Sequence, residues 1–425
     1  MNQNKYLDLL RTEISPAVGC TEPIAIALAC AKAREVMPDC DPSMISIELS
    51  LSTNVIKNAM GVGIPGTDMV GIPIAAALGA VGGDAGIGLE VLSVITPADF
   101  TIAARLVEQK RVSVAIADSS EKLYVKVTLI CGKDYSTVVI QREHSHITDI
   151  RLNDTSLFHE DLPKVPSNDV VMDTSISELY EFATTCDLET VDFLLEGARM
   201  NRSIANEGLL RDYGLRVGKT IRNNIERKII AEDMEKFAVE LAAAAADARM
   251  AGCMMPVMTN SGSGNQGITV FLPVVAVAEK LGVTDERLVR ALVLSNLTAI
   301  HIKAGIGRLS ALCGATTAAI GAGCGIAWLL GGDLASMYAV INNMIGDLAG
   351  MICDGAKNSC SLKVATSVES AFRSALLAID RLEVSGKEGI IEDDIEKSIR
   401  NLVQISTKGM EETDRMILDI MVSKE

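Results

Sequence analysis

The chain has 425 residues, a formal net charge of −16 and a pI near 4.8, with 48% hydrophobic but only 3% aromatic residues. That length exceeds what one hydrophobic core usually serves, so two lobes are expected, with interiors filled by Ala, Ile, Leu, Val and Met. The acidic balance repels phosphate backbones and anionic lipid, and no basic stripe with interleaved aromatics is present, which argues against nucleic acid as a partner.

Met1 to Arg11 carries charges where a signal peptide needs an unbroken apolar run, so a cytoplasmic location is expected. Residues 5–37 are predicted helical but broken at Ser15-Pro16-Ala17-Val18-Gly19-Cys20-Thr21-Glu22-Pro23, where two prolines and a glycine stop one helix before another begins at Thr21 or Glu22. Thr21 is the expected N-cap, Pro23 suits a first turn, and Ile24, Leu28 and Ala31 form an apolar stripe. Cys20 then sits at the positive end of a helix. There the dipole and backbone donors are expected to draw its pKa toward neutrality, making it a candidate base or nucleophile. Glu22 opposes that shift, and an ordinary half-buried thiol is the alternative.

From Met44 to Leu152 the texture turns β-branched and partly alternating, which predicts strands over Ile45–Val55, Val112–Ala117, Leu123–Cys131 and Tyr135–Ile140. A glycine-punctuated helical stretch near Ile72–Leu89 lies between the first two. Gly61-Val62-Gly63-Ile64-Pro65-Gly66 matches the dinucleotide fingerprint in letters, with Asp84 at roughly the right distance. Pro65 followed by Thr67 and Asp68 suits a turn better than a phosphate-binding helix, so a turn is expected. Asn153 to Asp169, with two prolines and mixed polar residues, is predicted to be a linker.

Beyond Val170 the pattern is helical, over Ile176–Thr185, Glu189–Glu207, Lys228–Met250, Val283–Leu297, Ser336–Met351 and Asp393–Thr407. The expected fold class is α+β: an N-terminal α+β lobe with a small mixed sheet, and a larger all-α C-terminal lobe of ten or so helices. The expected division is residues 1–42 as a helical segment with the Cys20 motif, 43–160 as the α+β lobe and 170–425 as the all-α lobe. Leu309 to Gly332 contains no charged side chain and is long enough to span a bilayer. Its Gly, Ala and Thr content and the cysteines within it favour a helix enclosed by protein.

Thr259-Asn260-Ser261-Gly262-Ser263-Gly264-Asn265-Gln266-Gly267 precedes the apolar run Ile268–Ala278, so several backbone N–H groups are expected to converge on one spot. Such a spot suits an anion, and in a small amino acid the anion is the α-carboxylate. The alternative is a surface loop capped by Asn265.

Ten cysteines in a reducing compartment are not expected to form a disulfide framework. Cys353 and Cys360 lie close in sequence with Gly355 permitting a turn between them, so both sulfurs can face one centre. Three thiolates on an iron–sulfur cube leave one iron open, a Lewis acid for a leaving group. The third is expected from Cys313 or Cys324, between which the residues alone do not choose, and inert buried thiols are the alternative. Cys30, Cys40, Cys131, Cys186 and Cys253 have no local partner and are assigned to packing. His301 is expected to be a satisfied core histidine rather than a substrate ligand.

The phrase Ser15 to Pro23 resembles the opening motif of the L-cysteine desulfidase family, relatives of the iron–sulfur L-serine dehydratase alpha chain. Further similarity lies in Ser52-Thr53-Asn54-Val55-Ile56-Lys57-Asn58, in the Ser261 to Gly267 loop, in Leu312-Cys313-Gly314 and in the Cys353–Cys360 pair. The resemblance implies a [4Fe–4S] cluster on Cys313, Cys353 and Cys360, with Cys20 as proton acceptor. It also implies substrate contacts from Asn260, Ser261, Gly262, Ser263, Gly264 and Asn265, with Thr53 and Asn54. Serine dehydratases space their second and third ligands more widely and open with Ser and His where this chain has Gly19 and Cys20, which favours the desulfidase branch.

The activity so implied is β-elimination of L-cysteine to pyruvate, ammonia and hydrogen sulfide. The rivals are the same chemistry on L-serine, a non-catalytic thiol or zinc protein, and a membrane-embedded carrier. The expected partners are a small amino-acid substrate and further copies of the chain, with no nucleic acid and no membrane.

Overall fold

The computed structural model describes residues 3–37, 40–67, 69–119, 121–162, 174–307 and 309–423. The β-branched stretches form a six-stranded mixed sheet in the order β3-β2-β4-β5-β6-β7, with β2 (Ser46–Leu51), β3 (Val112–Ile116), β4 (Tyr124–Cys131), β5 (Asp134–Gln141), β6 (Ile147–Leu152) and β7 (Thr155–His159). Only the β2–β3 pairing is parallel. Alternation is clean on one face: Ile47, Leu49, Leu51, Val125, Val127 and Leu129 are buried between Glu48, Lys126 and other outward polar residues. The buried face packs on the helices Thr21–Glu35 and Ile72–Gly82.

Several predicted limits move. The first strand stops at Leu51 because Thr53–Ala59 is a helix, so Val55 belongs to that helix. β6 and β7 were not anticipated, and β7 occupies the start of the predicted linker. The linker's remainder, residues 163–169, lies outside the described residues. Thr21 is not the N-cap: it is the first helical residue, its hydroxyl donates to Glu22 at 3.2 Å, and Cys20 occupies the cap position.

The region after residue 174 is helical, as its periodicity requires. Its helices pack on a core that includes Phe182, Leu194, Phe271, Leu292, Ile320 and Ile341. Its one strand, β8 (Pro256–Met258), pairs antiparallel with β1 (Pro16–Val18), neither of which was predicted. The charge-free stretch yields the helix Gly314–Leu329, almost wholly buried within the protein. Asp285–Ile306 is the one described helix long and apolar enough to cross a membrane by length and composition, and 83% of its apolar window is buried inside the fold.

The ends of the chain tie the two cores together. Tyr6, Leu10 and Ile14 pack into the helical core, whereas Ile24 to Met37 pack against the sheet. Leu418, on the last helix Glu411–Val422, returns to the sheet core. Cys40 and Cys131 form a disulfide, which corrects their assignment to packing. The partner was invisible in sequence because β4 carries Cys131 back to the end of the second helix from 91 residues away. Cys30, Cys186 and Cys253 are free and buried.

Candidate active site

The β1–β8 pairing sets the Cys20 motif against the glycine-rich loop. The Thr259 N–H donates to the Ser15 carbonyl at 2.9 Å and the Ser261 N–H to that of Glu13 at 2.9 Å. Gly19, at φ +71°, lets the chain turn into its helix, where a Cβ would lie 2.6 Å from the Pro65 ring. The Gly61–Gly66 segment is therefore a structural turn beneath Cys20, with Gly63 packed on the Ala251 backbone and bridged to Val70. No helix opens directly after it, and Asp84 caps a short turn by accepting from the Gly86 N–H.

Two strand-like segments meet at the opposite wall. Leu312 and Ile352 form an antiparallel bridge in which the Cys313 N–H donates to the Met351 carbonyl at 2.9 Å and the Cys353 N–H to that of Ala311 at 2.6 Å. That register puts the Cys313 and Cys353 side chains on one face as diagonal neighbours, a relation that spaces positions by roughly 7–8 Å. Cys360 begins the helix Cys360–Ile379, and its Sγ lies 3.5 Å from the Gly355 carbonyl.

Cys20, Cys313, Cys353 and Cys360 all line one cavity of about 110 Å³, together with Ser261, Gly262, Ser263 and Asn265. Four helices aim their N-termini at it: Cys20, Ser263 and Cys313 are N-caps and Cys360 is a first residue. Their unsatisfied N–H groups and dipoles make the space favourable to anions. Ser263, not Asn265, caps the glycine-loop helix by accepting from the Gln266 N–H. Cys324 is buried elsewhere and does not line the cavity.

Other predicted residues fall outside it. Asn260 is fully buried and bonded to Asn296 at 3.0 Å. Gly264 packs on Arg249, where a Cβ would lie 2.2 Å from Nε. Thr53 and Asn54 line a separate cavity of about 200 Å³ with Lys57 and Asp414. Neighbouring Asn58 does reach the cysteine cavity. His301 is buried away from the cavity, its Nε2 bonded to Glu396 at 2.9 Å, but its Nδ1 has no hydrogen-bond partner, so it is only half satisfied.

Three cations and a histidine in the cavity went unread in the sequence. Arg249, 4% exposed, donates to the Gly19 carbonyl at 2.9 Å and to Asn265 at 3.1 Å, with its Nε left without a partner. Lys303 is also buried, and that burial brings its ammonium down to about 8 against the opposing pull of Cys353 and Cys313. Lys363 pairs with Asp354. Burial opposes the Asp354 charge, but Lys357 and Lys363 hold its pKa at about 2. His144 arrives from the β5–β6 turn. Arg249, Lys303 and His144 come from far along the chain, so no local spacing announced them, whereas Lys363 follows Cys360 by three residues.

Enclosure in this cavity favours the thiol form of Cys20, Cys313 and Cys360. Burial pushes Cys20 up to about 12; Arg249 pulls it down, while Glu22 and Cys360 push it further up. The expected drift toward neutrality is thus overturned, because desolvation of an enclosed thiol outweighs the helix dipole. Burial also raises Cys313 and Cys360, and Cys353 adds to both shifts.

Three free thiols, Cys313, Cys353 and Cys360, face the cavity as soft donors. Among the described residues no three His, Cys, Asp or Glu side chains are grouped to hold one metal ion. A cube distributes its thiolates over separate irons and needs them apart, as the diagonal Cys313–Cys353 relation has them. Cys313, Cys353 and Cys360 are free thiols, and Gly314, Ala315, Gly355 and Ala356 keep bulk away from the same space.

Comparison with known proteins places these residues in a wider group. A family model described as the serine dehydratase alpha chain matches residues 87–419. A UPF0597 protein of Oleidesulfovibrio alaskensis is 47% identical, covering 99% of this chain and 98% of the relative. UPF0597 proteins of Bacteroides fragilis and Photobacterium profundum are each 45% identical over 99% of this chain, covering 98% and 99% of those relatives.

Proposed function

The chain belongs to the serine dehydratase alpha chain family, and from that premise we propose that it is an iron–sulfur-dependent lyase that eliminates sulfide from L-cysteine. The observation that carries the reading is the presence of Cys20, Cys313, Cys353 and Cys360 on one cavity with the Ser261–Ser263 loop. Cys313, Cys353 and Cys360 would hold a [4Fe–4S] cluster. Bound by three thiolates, such a cluster keeps one iron without a protein ligand and supplies a Lewis acid for the β-substituent.

The chain's own residues do the rest. The loop N–H groups and Arg249 receive the α-carboxylate, which orients Cα–H toward Cys20. Cys20 Sγ accepts the α-proton, the released electron pair becomes the Cα=Cβ bond, and the Cβ–S bond breaks to release sulfide. The resulting aminoacrylate tautomerises to an imine, and water converts that to pyruvate and ammonia. A thiolate whose proton affinity is raised by burial is a stronger base toward a carbon acid but a scarcer one, and Arg249 limits the scarcity. On this reading the lyase sits in the cytoplasm, which keeps the four cavity thiols reduced.

The description of the matched family favours a second reading, the same elimination of hydroxide from L-serine. Anaerobically prepared protein assayed with both amino acids decides. We expect a brown protein that releases sulfide and pyruvate from L-cysteine faster than it releases pyruvate from L-serine. A colourless, fully active protein would overturn the reading.

A further inference from the structure

One wall of the cavity has an acidic character that the elimination described above leaves unused. Glu22 turns its side chain into the cavity from the first helical turn after Cys20, 12% exposed, with Oε2 accepting from the Thr21 hydroxyl. Facing it is His144, 9% exposed, carried in by the turn between β5 and β6. The His144 Nε2 lies 3.8 Å from Glu22 Oε1, too far for a direct hydrogen bond. That nitrogen is enclosed and has no partner.

A buried ring nitrogen without a partner, held across a short gap from a carboxylate oxygen, invites a third group that satisfies both. In the tautomer that carries its proton on Nδ1, the imidazole offers a lone pair at Nε2. The third group must then donate at least two hydrogen bonds, and the carboxylate favours a positive charge on it. A primary ammonium meets both conditions. The remainder of the cavity has the opposite preference, with Arg249, Lys303 and four helix N-termini.

Resting on the lyase reading, we propose that Glu22 and His144 form the ammonium subsite. Glu22 takes the charge of the substrate's α-amino group, and His144 Nε2 accepts a second hydrogen bond from it. Arg249 and the Ser261–Ser263 loop face the carboxylate. The two poles make the cavity selective for zwitterionic α-amino acids over α-hydroxy and unsubstituted carboxylic acids.

L-Alanine and L-lactate test this as competitive inhibitors, because they differ only in ammonium against hydroxyl and neither carries a leaving group. Wild-type protein is expected to bind L-alanine at least about tenfold more tightly than L-lactate, since the uncharged hydroxyl donates one hydrogen bond where the cationic ammonium donates to both Glu22 and His144. Glu22→Gln is expected to bring the two within about twofold by weakening L-alanine alone. His144→Gln is expected to weaken L-alanine by a few-fold and leave L-lactate unchanged. Equal weakening of both ligands in Glu22→Gln, or an unchanged ratio, overturns the proposal. If wild-type protein turns over neither L-cysteine nor L-serine, the lyase reading fails, and calorimetric binding of L-alanine and L-lactate then tests the subsite on its own.

Discussion

Arg249 reaches from the end of the helix Met234–Met250 to the carbonyl oxygen of Gly19, 2.9 Å away, and so sets its charge beside the thiol of Cys20. The contact joins a side chain to a motif 230 residues earlier. It accounts for why the conformation of one glycine and the proton affinity of the next residue depend on a helix in the other half of the molecule.

Cys20→Ser is therefore expected to retain iron and colour while turnover falls by about 10²–10⁴-fold, the usual range for losing a general base. Arg249→Met should lower kcat by about 10²-fold through a scarcer thiolate. With the thiol pushed up to about 12, its alkylation in cluster-free protein, followed by peptide mapping, should rise about tenfold per pH unit between pH 7 and 10 without levelling off. A plateau near pH 8 would contradict the burial argument.

Gly355 makes a second point of leverage on the cysteines. It holds φ at +93°, and a Cβ there would lie 2.0 Å from the Lys57 carbonyl oxygen. Gly355→Ala is expected to cost at least about 2 kcal/mol and to displace the loop between Cys353 and Cys360. Iron per chain should fall while far-ultraviolet circular dichroism is retained. Unchanged iron would show that the loop absorbs the extra methyl.

A buried cation meets the last helix beside the apolar contact of Leu418. Lys57, 2% exposed, pairs with Asp414, which is 26% exposed. Asp414→Asn removes the counter-charge of the enclosed ammonium, which also donates to the Ser310 carbonyl at 3.5 Å, and should destabilise the fold by about 2 kcal/mol in urea unfolding. Replacing both partners by Met and Leu should recover most of that loss. No recovery would mean that the pair does more than neutralise charge.

Asp247 provides a pH test away from the cavity lining. Burial raises its carboxyl to about 6, although Ser361 and the Gly218 and Val217 N–H groups act against the shift. A raised folded-state value means that the folded protein holds this proton more tightly than the unfolded chain. Its contribution to stability is therefore complete below about pH 4 and lost as pH climbs to about 6. Asp247→Asn should flatten that slope and leave the protein on the order of 1–2 kcal/mol more stable at pH 7. An unchanged slope would assign the pH dependence to other groups.

The elements the sequence revealed are those whose information is local. Ile176–Thr185 matches its apolar spacing to the residue, and Ser175 with Glu178 fixes its start by a complete capping box. β7 was missed because it is exposed along its whole length and carries no alternation to read, whereas β6 alternates only over Ile147 to Ile150, too short a run to stand out. β1 and β8 are three residues each and exist only through their pairing with one another. The same division holds at the site. Cys353, Cys360 and the glycine loop announce themselves by spacing, whereas Arg249, Lys303 and His144 become neighbours of Cys20 only in three dimensions. Thr53 and Asn54 line a separate cavity, and the helix that contains them presents Asn58 to the cysteine cavity.

The central claim is that Cys313, Cys353 and Cys360 hold a cluster with one iron free for the substrate. Mössbauer spectroscopy of anaerobically prepared, iron-57-enriched protein tests it most directly. The account predicts a four-iron cluster in which one iron alone changes its isomer shift and quadrupole splitting when L-cysteine is added. Protein without iron, or a cluster whose irons all stay indifferent to the amino acid, would contradict it.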